Sequence, residues 1–143
     1  MENNRTVLIV DDELPNIIAL THILKPDYDV SAVKSGEEAI TAAAEFLPDV
    51  ILLDIIMPDR DGYGVISELK SSEKTKDIPV IFITGLRDAQ AEEKGLNLGA
   101  ADYITKPFSP AVVKLRVRNQ MKIIELKREL AAVKGSRGEN SHV

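Results

Sequence analysis

Val7-Leu8-Ile9-Val10-Asp11-Asp12-Glu13 sets four apolar residues directly against three acidic ones. The apolar run is too short for a helix, and it suits a strand buried on both faces, as in a parallel sheet. Two further runs have the same form: Val50-Ile51-Leu52-Leu53, followed by Asp54, and Val80-Ile81-Phe82-Ile83, followed by Thr84. Weaker runs from Tyr28 to Val33 and from Asp102 to Thr105 bring the set to five. Helical patterns of about ten residues or more lie between them. This alternation predicts right-handed β-α units stacked into one parallel sheet.

The punctuation agrees. Pro15 belongs in a first turn, Ser35 can cap a helix over Glu37 to Phe46, and Pro110 follows Ser109 as a first-turn proline after a cap. Leu47-Pro48 ends the second helix, Ile78-Pro79 leads into the fourth strand, and Gly99 closes a helix begun near Asp88. Gly62 and Gly64 read as turn and helix-start positions.

The last helical pattern runs from Pro110 to about Val133, longer than an average globular helix of about 10 to 14 residues, so its end should project beyond the domain. Asn119, Ile123, Leu126, Leu130 and Val133 are spaced 4, 3, 4 and 3, a heptad seam of just over two repeats. In a parallel pair Lys122 would meet Lys127 and repel, while Glu129 would meet Lys134 and attract, so charge does not separate a pairing helix from a single amphipathic one. The tail from Gly135 to Val143 reads as polar and disordered.

Composition narrows the classes. The 143 residues carry 18 Lys or Arg against 23 Asp or Glu, a net charge of −5, which argues against a nucleic-acid-coating surface. There is no cysteine, hence no disulfide, thiol nucleophile or Cys-based zinc site, and two histidines cannot make a His-rich one. No uncharged stretch approaches the roughly 18 to 20 apolar residues of a membrane span, and no secretory leader is recognisable. These features predict a cytoplasmic protein.

In a parallel sheet every strand C-terminus lies on one edge, so the residues after the apolar runs are neighbours in space. Here they are Asp11-Asp12-Glu13, Asp54, Thr84 and Thr105-Lys106-Pro107. Taken singly each has a plain explanation: an acidic helix cap, a turn threonine, a solvated lysine. Met57, Phe82 and Phe108 suit a core, and His22 a structural place on its helix. It is the conjunction at four strand ends that implies a site. Clustered carboxylates oppose one another's ionisation, and a cation is the ordinary remedy. Hard oxygen ligands without nitrogen or sulfur favour Mg²⁺ or Mn²⁺. Asp11, Asp12 and Asp54 with Lys106 sum to −2, which one divalent ion cancels.

Other chemistries fit less well. A flavodoxin-like nucleotide site wants a Gly- or Ser-rich phosphate loop after strand one, where this chain has acids. A haloacid-dehalogenase-like phosphatase has D-x-D there and a cap element, and a Walker loop needs G-x-x-x-x-G-K-[ST], which does not occur.

Four motifs in order then carry a resemblance. V-L-I-V-D-D-E at 7 to 13 with Pro15-Asn16, D-I-I-M-P-D-R-D-G at 54 to 62, F-I-T-G at 82 to 85 and G-A-A-D-Y-I-T-K-P-F at 99 to 108 resemble the receiver domain of a bacterial two-component response regulator. The match covers about residues 5 to 125. The resemblance implies a doubly wound flavodoxin-like sheet of order 2-1-3-4-5, with helices on both faces and here an extended C-terminal helix. Residues 1–125 would form the receiver and 126–143 a helix extension and polar tail. It also implies that Asp54 accepts a phosphoryl group from the phosphohistidine of a sensor histidine kinase or phosphotransfer protein. Asp12 would bind Mg²⁺ directly and Asp11 mainly through water, with Asp54 and the Ile56 main-chain carbonyl completing the ligands.

Lys106 and Thr84 would hold phosphoryl oxygens, Lys106-Pro107 would be a cis peptide, and Thr84 with Tyr103 would form the switch that alters the α4-β5-α5 face. Gly85, where many relatives carry Ala, would leave the phosphoryl group less covered. Such a domain is a phosphoacceptor that promotes its own phosphorylation and dephosphorylation rather than an enzyme. Partners implied are the kinase, an output domain or effector reached through the last helix, and a second copy along the heptad seam; neither direct nucleic-acid nor membrane binding is implied. The segment Ser109 to Leu130 is similar to receivers joined to cyclic-dinucleotide enzymes or hybrid sensor kinases, which suggests a piece of a longer protein rather than a stand-alone receiver. The alternative is a receiver-fold interaction module that is never phosphorylated; intact Asp11, Asp12, Asp54, Thr84 and Lys106 argue against it.

Overall fold

The computed structural model describes residues 4–85 and 89–140. In chain order the elements are β1 (Thr6–Val10), α1 (Leu14–Leu24), β2 (Asp29–Val33), α2 (Gly36–Phe46), β3 (Val50–Asp54), α3 (Gly62–Ser71), β4 (Val80–Thr84), α4 (Ala89–Asn97), β5 (Asp102–Thr105) and α5 (Pro110–Asn140). The strands form one sheet of order β2-β1-β3-β4-β5, all pairs parallel, as expected for a flavodoxin-like fold. The expected start of α4 near Asp88 lies outside the described residues, as does the end of the tail at 141–143.

Strand periodicity divides the core in two. Val7, Ile9, Val50, Leu52, Ile81, Ile83 and Ile104 face one way and pack on Ile17, Leu20 and Leu24 of α1 and Val113, Val117 and Met121 of α5. Leu8, Val10, Ile51, Leu53, Val80 and Phe82 face the other way, onto Ala39, Ala42 and Ala43 of α2 and Val65, Ile66 and Leu69 of α3. Small residues along α2 let it lie close to the sheet. α4 joins the second face at Gly95, where an added Cβ would stand 2.9 Å from the Phe82 ring.

The caps explain where the helices begin. Ser35 Oγ accepts from Glu38 N at 3.1 Å, Asp61 Oδ1 from Gly64 N at 2.8 Å, and Ser109 Oγ from Val112 N at 3.2 Å. α2 ends on Leu47 in the left-handed region at φ 47°, just before Pro48. Gly99 closes α4 at φ 106°, a backbone state that favours glycine.

One boundary needs correction. α5 does not stop near Val133: its backbone is helical to Asn140, taking in part of the segment read as a disordered tail. Extending a formed helix avoids the cost of nucleation, so a few poor helix formers need not end it. Ile123, Leu126, Leu130 and Val133 are all exposed on the turns of α5 before this extension. His22 is exposed too, in the last turn of α1, where a basic side chain suits the helix dipole. No helix among the described residues is long and apolar enough to cross a membrane.

Candidate functional site

The carboxyl ends of β1, β3, β4 and β5 meet at one sheet edge. Asp11 follows β1, Asp54 closes β3, Thr84 closes β4 and Lys106 follows β5. Register aligns Asp54 with Ile83 and Thr84 with Thr105. The Lys106 main-chain N–H donates to the Thr84 carbonyl at 2.8 Å, hanging the loop after β5 from the end of β4. The Lys106-Pro107 bond is cis, as the family resemblance implied.

Lys106 Nζ donates to Asp11 Oδ2 and to Asp54 Oδ2, each at 3.2 Å. Asp54 Oδ1 accepts from Ile56 N at 3.2 Å, and Asp11 Oδ1 from Glu13 N at 2.9 Å. One carboxylate oxygen from each of Asp11, Asp12 and Asp54 lies within 4.8 Å of the others, with Asp11 and Asp54 buried and Asp12 half-buried. Thr84 is fully buried. Tyr103 is half-buried, and its ring stands edge-on to Phe82 with centroids 6.2 Å apart. The Ile56 side chain is exposed.

Charge and burial pull against each other here. Burial holds the Asp54 carboxyl above its ordinary range; the Lys106 ammonium lowers it, and the Asp11 charge adds to the rise. Burial disfavours the Lys106 ammonium as well, but Asp54 and Asp11 outweigh this and hold Lys106 above the usual lysine value. Three acids and one ammonium leave the edge at −2, and the donor set is oxygen only. These residues therefore fit a hard divalent cation.

Asp11, Asp12, Asp54, Thr84 and Lys106 are thus at the edge where strand order alone places them. Sequence reasoning passed over the ties of the β3–α3 loop. The Asp59 carboxylate accepts from Gly36 N at 3.1 Å and Glu37 N at 3.2 Å, and Arg60 pairs with Glu68 at 2.9 Å and Glu37 at 3.8 Å. Tyr63 was also missed: its hydroxyl donates to the Ala91 carbonyl at 3.2 Å, and its ring meets Phe82 at 5.7 Å. The signal for Asp59 was modest, an acid just after Pro58 in a loop with a second Asp at 61.

The sequence pattern of the response regulator receiver domain family matches residues 7–118. The chain belongs to this family. The receiver is 41% identical over 116 residues to a Vibrio cholerae protein named "Probable cyclic di-GMP phosphodiesterase", covering 81% of this chain and 26% of that protein. It is 43% identical over 119 residues to the "Probable transcriptional regulator ycf27" of Guillardia theta, covering 82% of this chain and 46% of that one. It therefore spans less than half the length of either relative. Among solved structures, the signal receiver domain of a signal transduction histidine kinase from Syntrophus aciditrophicus superimposes with a TM-score of 0.76 at 34% identity, covering 82% of this chain and 90% of that one. The chemotaxis response regulator CheY4 of Vibrio cholerae does so with a TM-score of 0.78 at 25% identity, covering 82% and 99%.

Proposed function

We propose that this receiver accepts a phosphoryl group onto Asp54 from the phosphohistidine of a sensor histidine kinase or phosphotransfer protein, with Mg²⁺ as cofactor. The observation that carries this reading is the single Lys106 ammonium bridging two buried carboxylates at 3.2 Å, beside a third acid.

Asp54 attacks phosphorus in line. The P–O bond to its carboxylate forms as the P–N bond to imidazole breaks, and the departing nitrogen keeps the electron pair and takes up a proton. Lys106 meets one phosphoryl oxygen with a charge-assisted hydrogen bond, and the Thr84 hydroxyl meets another once transfer is complete. Asp11, Asp12, Asp54 and the Ile56 carbonyl would hold Mg²⁺, which would supply the positive charge that lets a phosphoryl group enter an acidic pocket. Positioning does most of the work, and attack of water on the acyl phosphate reverses the state.

The output follows from the same contacts. Drawing Thr84 toward the phosphoryl group leaves room into which Tyr103 turns, and the α4-β5-α5 face changes with it. A partner on that face, or an output domain reached through α5, must prefer the phosphorylated form by about 1 to 3 kcal/mol for the switch to register. The exposed stripe of Ile123, Leu126, Leu130 and Val133 supplies the contact, to a second copy or to the output module.

Intact mass after incubation with acetyl phosphate and Mg²⁺ tests the reading. A gain of about 80 Da that disappears in EDTA and in Asp54→Asn supports an aspartyl phosphate. If neither such a gain nor a beryllium fluoride complex forms, the chain is a receiver fold used only for binding.

A further inference from the structure

The loop between β3 and α3 carries Ile56, whose carbonyl the proposed metal site requires. Its two ends are fixed. Ile56 N donates to Asp54 at one end, and at the other Gly62 N donates to the Ile55 carbonyl at 2.6 Å while Asp61 caps α3. Ile55 and Met57 are buried in the core beneath the loop, whereas the Ile56 side chain is exposed. Ile55 and Met57, on either side of Ile56, hold the near half of the loop, and the direction of the Ile56 carbonyl also depends on a restraint on its far half, from Pro58 to Asp61.

We infer that Asp59 is that restraint, a positioning residue for the metal site that ties the loop to the amino end of α2. Its two carboxylate oxygens take one amide each, Gly36 N at 3.1 Å and Glu37 N at 3.2 Å, 23 and 22 residues away in sequence. Ser35 takes the third amide, Glu38 N, so the first turn of α2 is satisfied jointly by its own cap and by the metal-site loop. These amide contacts hold the Asp59 carboxyl below its ordinary range, as a carboxylate bonded to a helix N-terminus should be.

Neighbouring contacts run the same way. Arg60 continues the tie to Glu37 of α2 and Glu68 of α3. A Cβ at Gly36 would stand 2.8 Å from Val65 Cγ2 of α3 and 3.1 Å from Arg60 Cγ of the loop, so α2 packs closely on both there. Asp59 lies outside the cluster of Asp11, Asp12 and Asp54. It acts through the backbone of Met57 and Pro58, the two residues that separate it from Ile56, as outer contacts orient the direct ligands of other metal sites.

This inference rests on the proposed Mg²⁺ site, and its test separates the two. Mg²⁺ affinity is measured calorimetrically for wild type, Asp59→Ala and Asp59→Asn in about 0.5 M KCl, where the long-range effect of losing one charge is screened. Thermal melts establish that each variant is folded at the assay temperature. Asp59→Ala is expected to bind about tenfold more weakly, the low end of what outer-shell changes cost. Asp59→Asn, which keeps one acceptor oxygen, falls between. In the metal-free proteins the amides of Ile56, Gly36 and Glu37 exchange faster in Asp59→Ala than in wild type. An Asp59→Ala affinity within about threefold of wild type, or unchanged exchange at Ile56, overturns the positioning role. A wild type with no Mg²⁺ affinity instead overturns the metal reading itself.

Discussion

Asp54 and Lys106 are 52 residues apart in sequence and 3.2 Å apart in space, and the same ammonium lies 3.2 Å from Asp11. One cation therefore serves two buried carboxylates, and the edge is short of positive charge by design of its residues. The consequences differ for each partner.

Removing the cation leaves both carboxylates without their charge partner. Lys106→Met should lower stability at pH 7 by about 1 to 3 kcal/mol, less than the full cost of breaking a deeply buried pair because Lys106 is one-fifth exposed. The deficit should shrink as pH falls and the carboxyls protonate. In wild type the lysine's contribution is present below its unfolded value near 10.4 and lost as pH rises through its higher folded value. Urea unfolding at pH 4, 7 and 11 measures this; equal deficits at pH 4 and 7 would contradict it.

Removing the acceptor should do the reverse. The folded-state pKa of Asp54 is raised, so its proton stabilises the fold fully below the unfolded value near 3.9, and that contribution is lost as pH rises through the folded value. At neutral pH the ionised group is carried at a cost that Asp54→Asn escapes. The variant should gain on the order of 1 kcal/mol at pH 7 without metal and lose most of that gain near pH 4. Mg²⁺ at about a hundred times its Kd should raise wild-type stability by about 2.7 kcal/mol and the variant by much less. Paired melts with Mg²⁺ and with EDTA read both effects.

Two glycines should respond oppositely. A Cβ at Gly62 would lie 2.7 Å from both the Asp54 carbonyl and Ile55 Cα, so Gly62→Ala forces the backbone beside the acceptor to move, at about 1 to 3 kcal/mol. A Cβ at Gly85 meets nothing within 4 Å among the described residues, and Gly85→Ala should stay within about 0.5 kcal/mol of wild type. If the added methyl shields the phosphoryl group from water, the acyl phosphate should live longer; an unchanged lifetime after removal of donor would refute the shielding.

On α5, Leu126→Glu with Leu130→Glu should leave the melting temperature of the monomer near wild type, since both side chains are more than half exposed. Sedimentation before and after phosphorylation should show whether wild type self-associates. The stripe acts in pairing if wild type forms a dimer that the double variant does not; a dimer retained by the variant excludes that use.

Parallel-sheet logic made Asp11, Asp12, Asp54, Thr84 and Lys106 legible, because strand ends share an edge whatever their spacing in sequence. Ile56 and Tyr103 emerged only through family resemblance: one is proposed to act by its backbone, which carries no side-chain signal, and the other is an aromatic indistinguishable by pattern from core. Asp59, Arg60 and Tyr63 were hidden for a different reason. Their partners, Gly36, Glu37, Glu68 and Ala91, lie on other helices, and no local periodicity reports which helices touch. The end of α5 was misjudged because intrinsic propensity is a weak guide once a helix is already formed.

The central claim is that Asp54 itself carries the phosphoryl group. Reduction of the acetyl phosphate-treated protein with sodium borohydride converts an aspartyl phosphate to homoserine, and peptide mass mapping then locates the change. The account predicts a loss of about 14 Da at Asp54, dependent on Mg²⁺ and absent from the untreated protein. Homoserine at Asp11 or Asp12, or an unmodified Asp54 in protein that has gained a phosphoryl group, would contradict it.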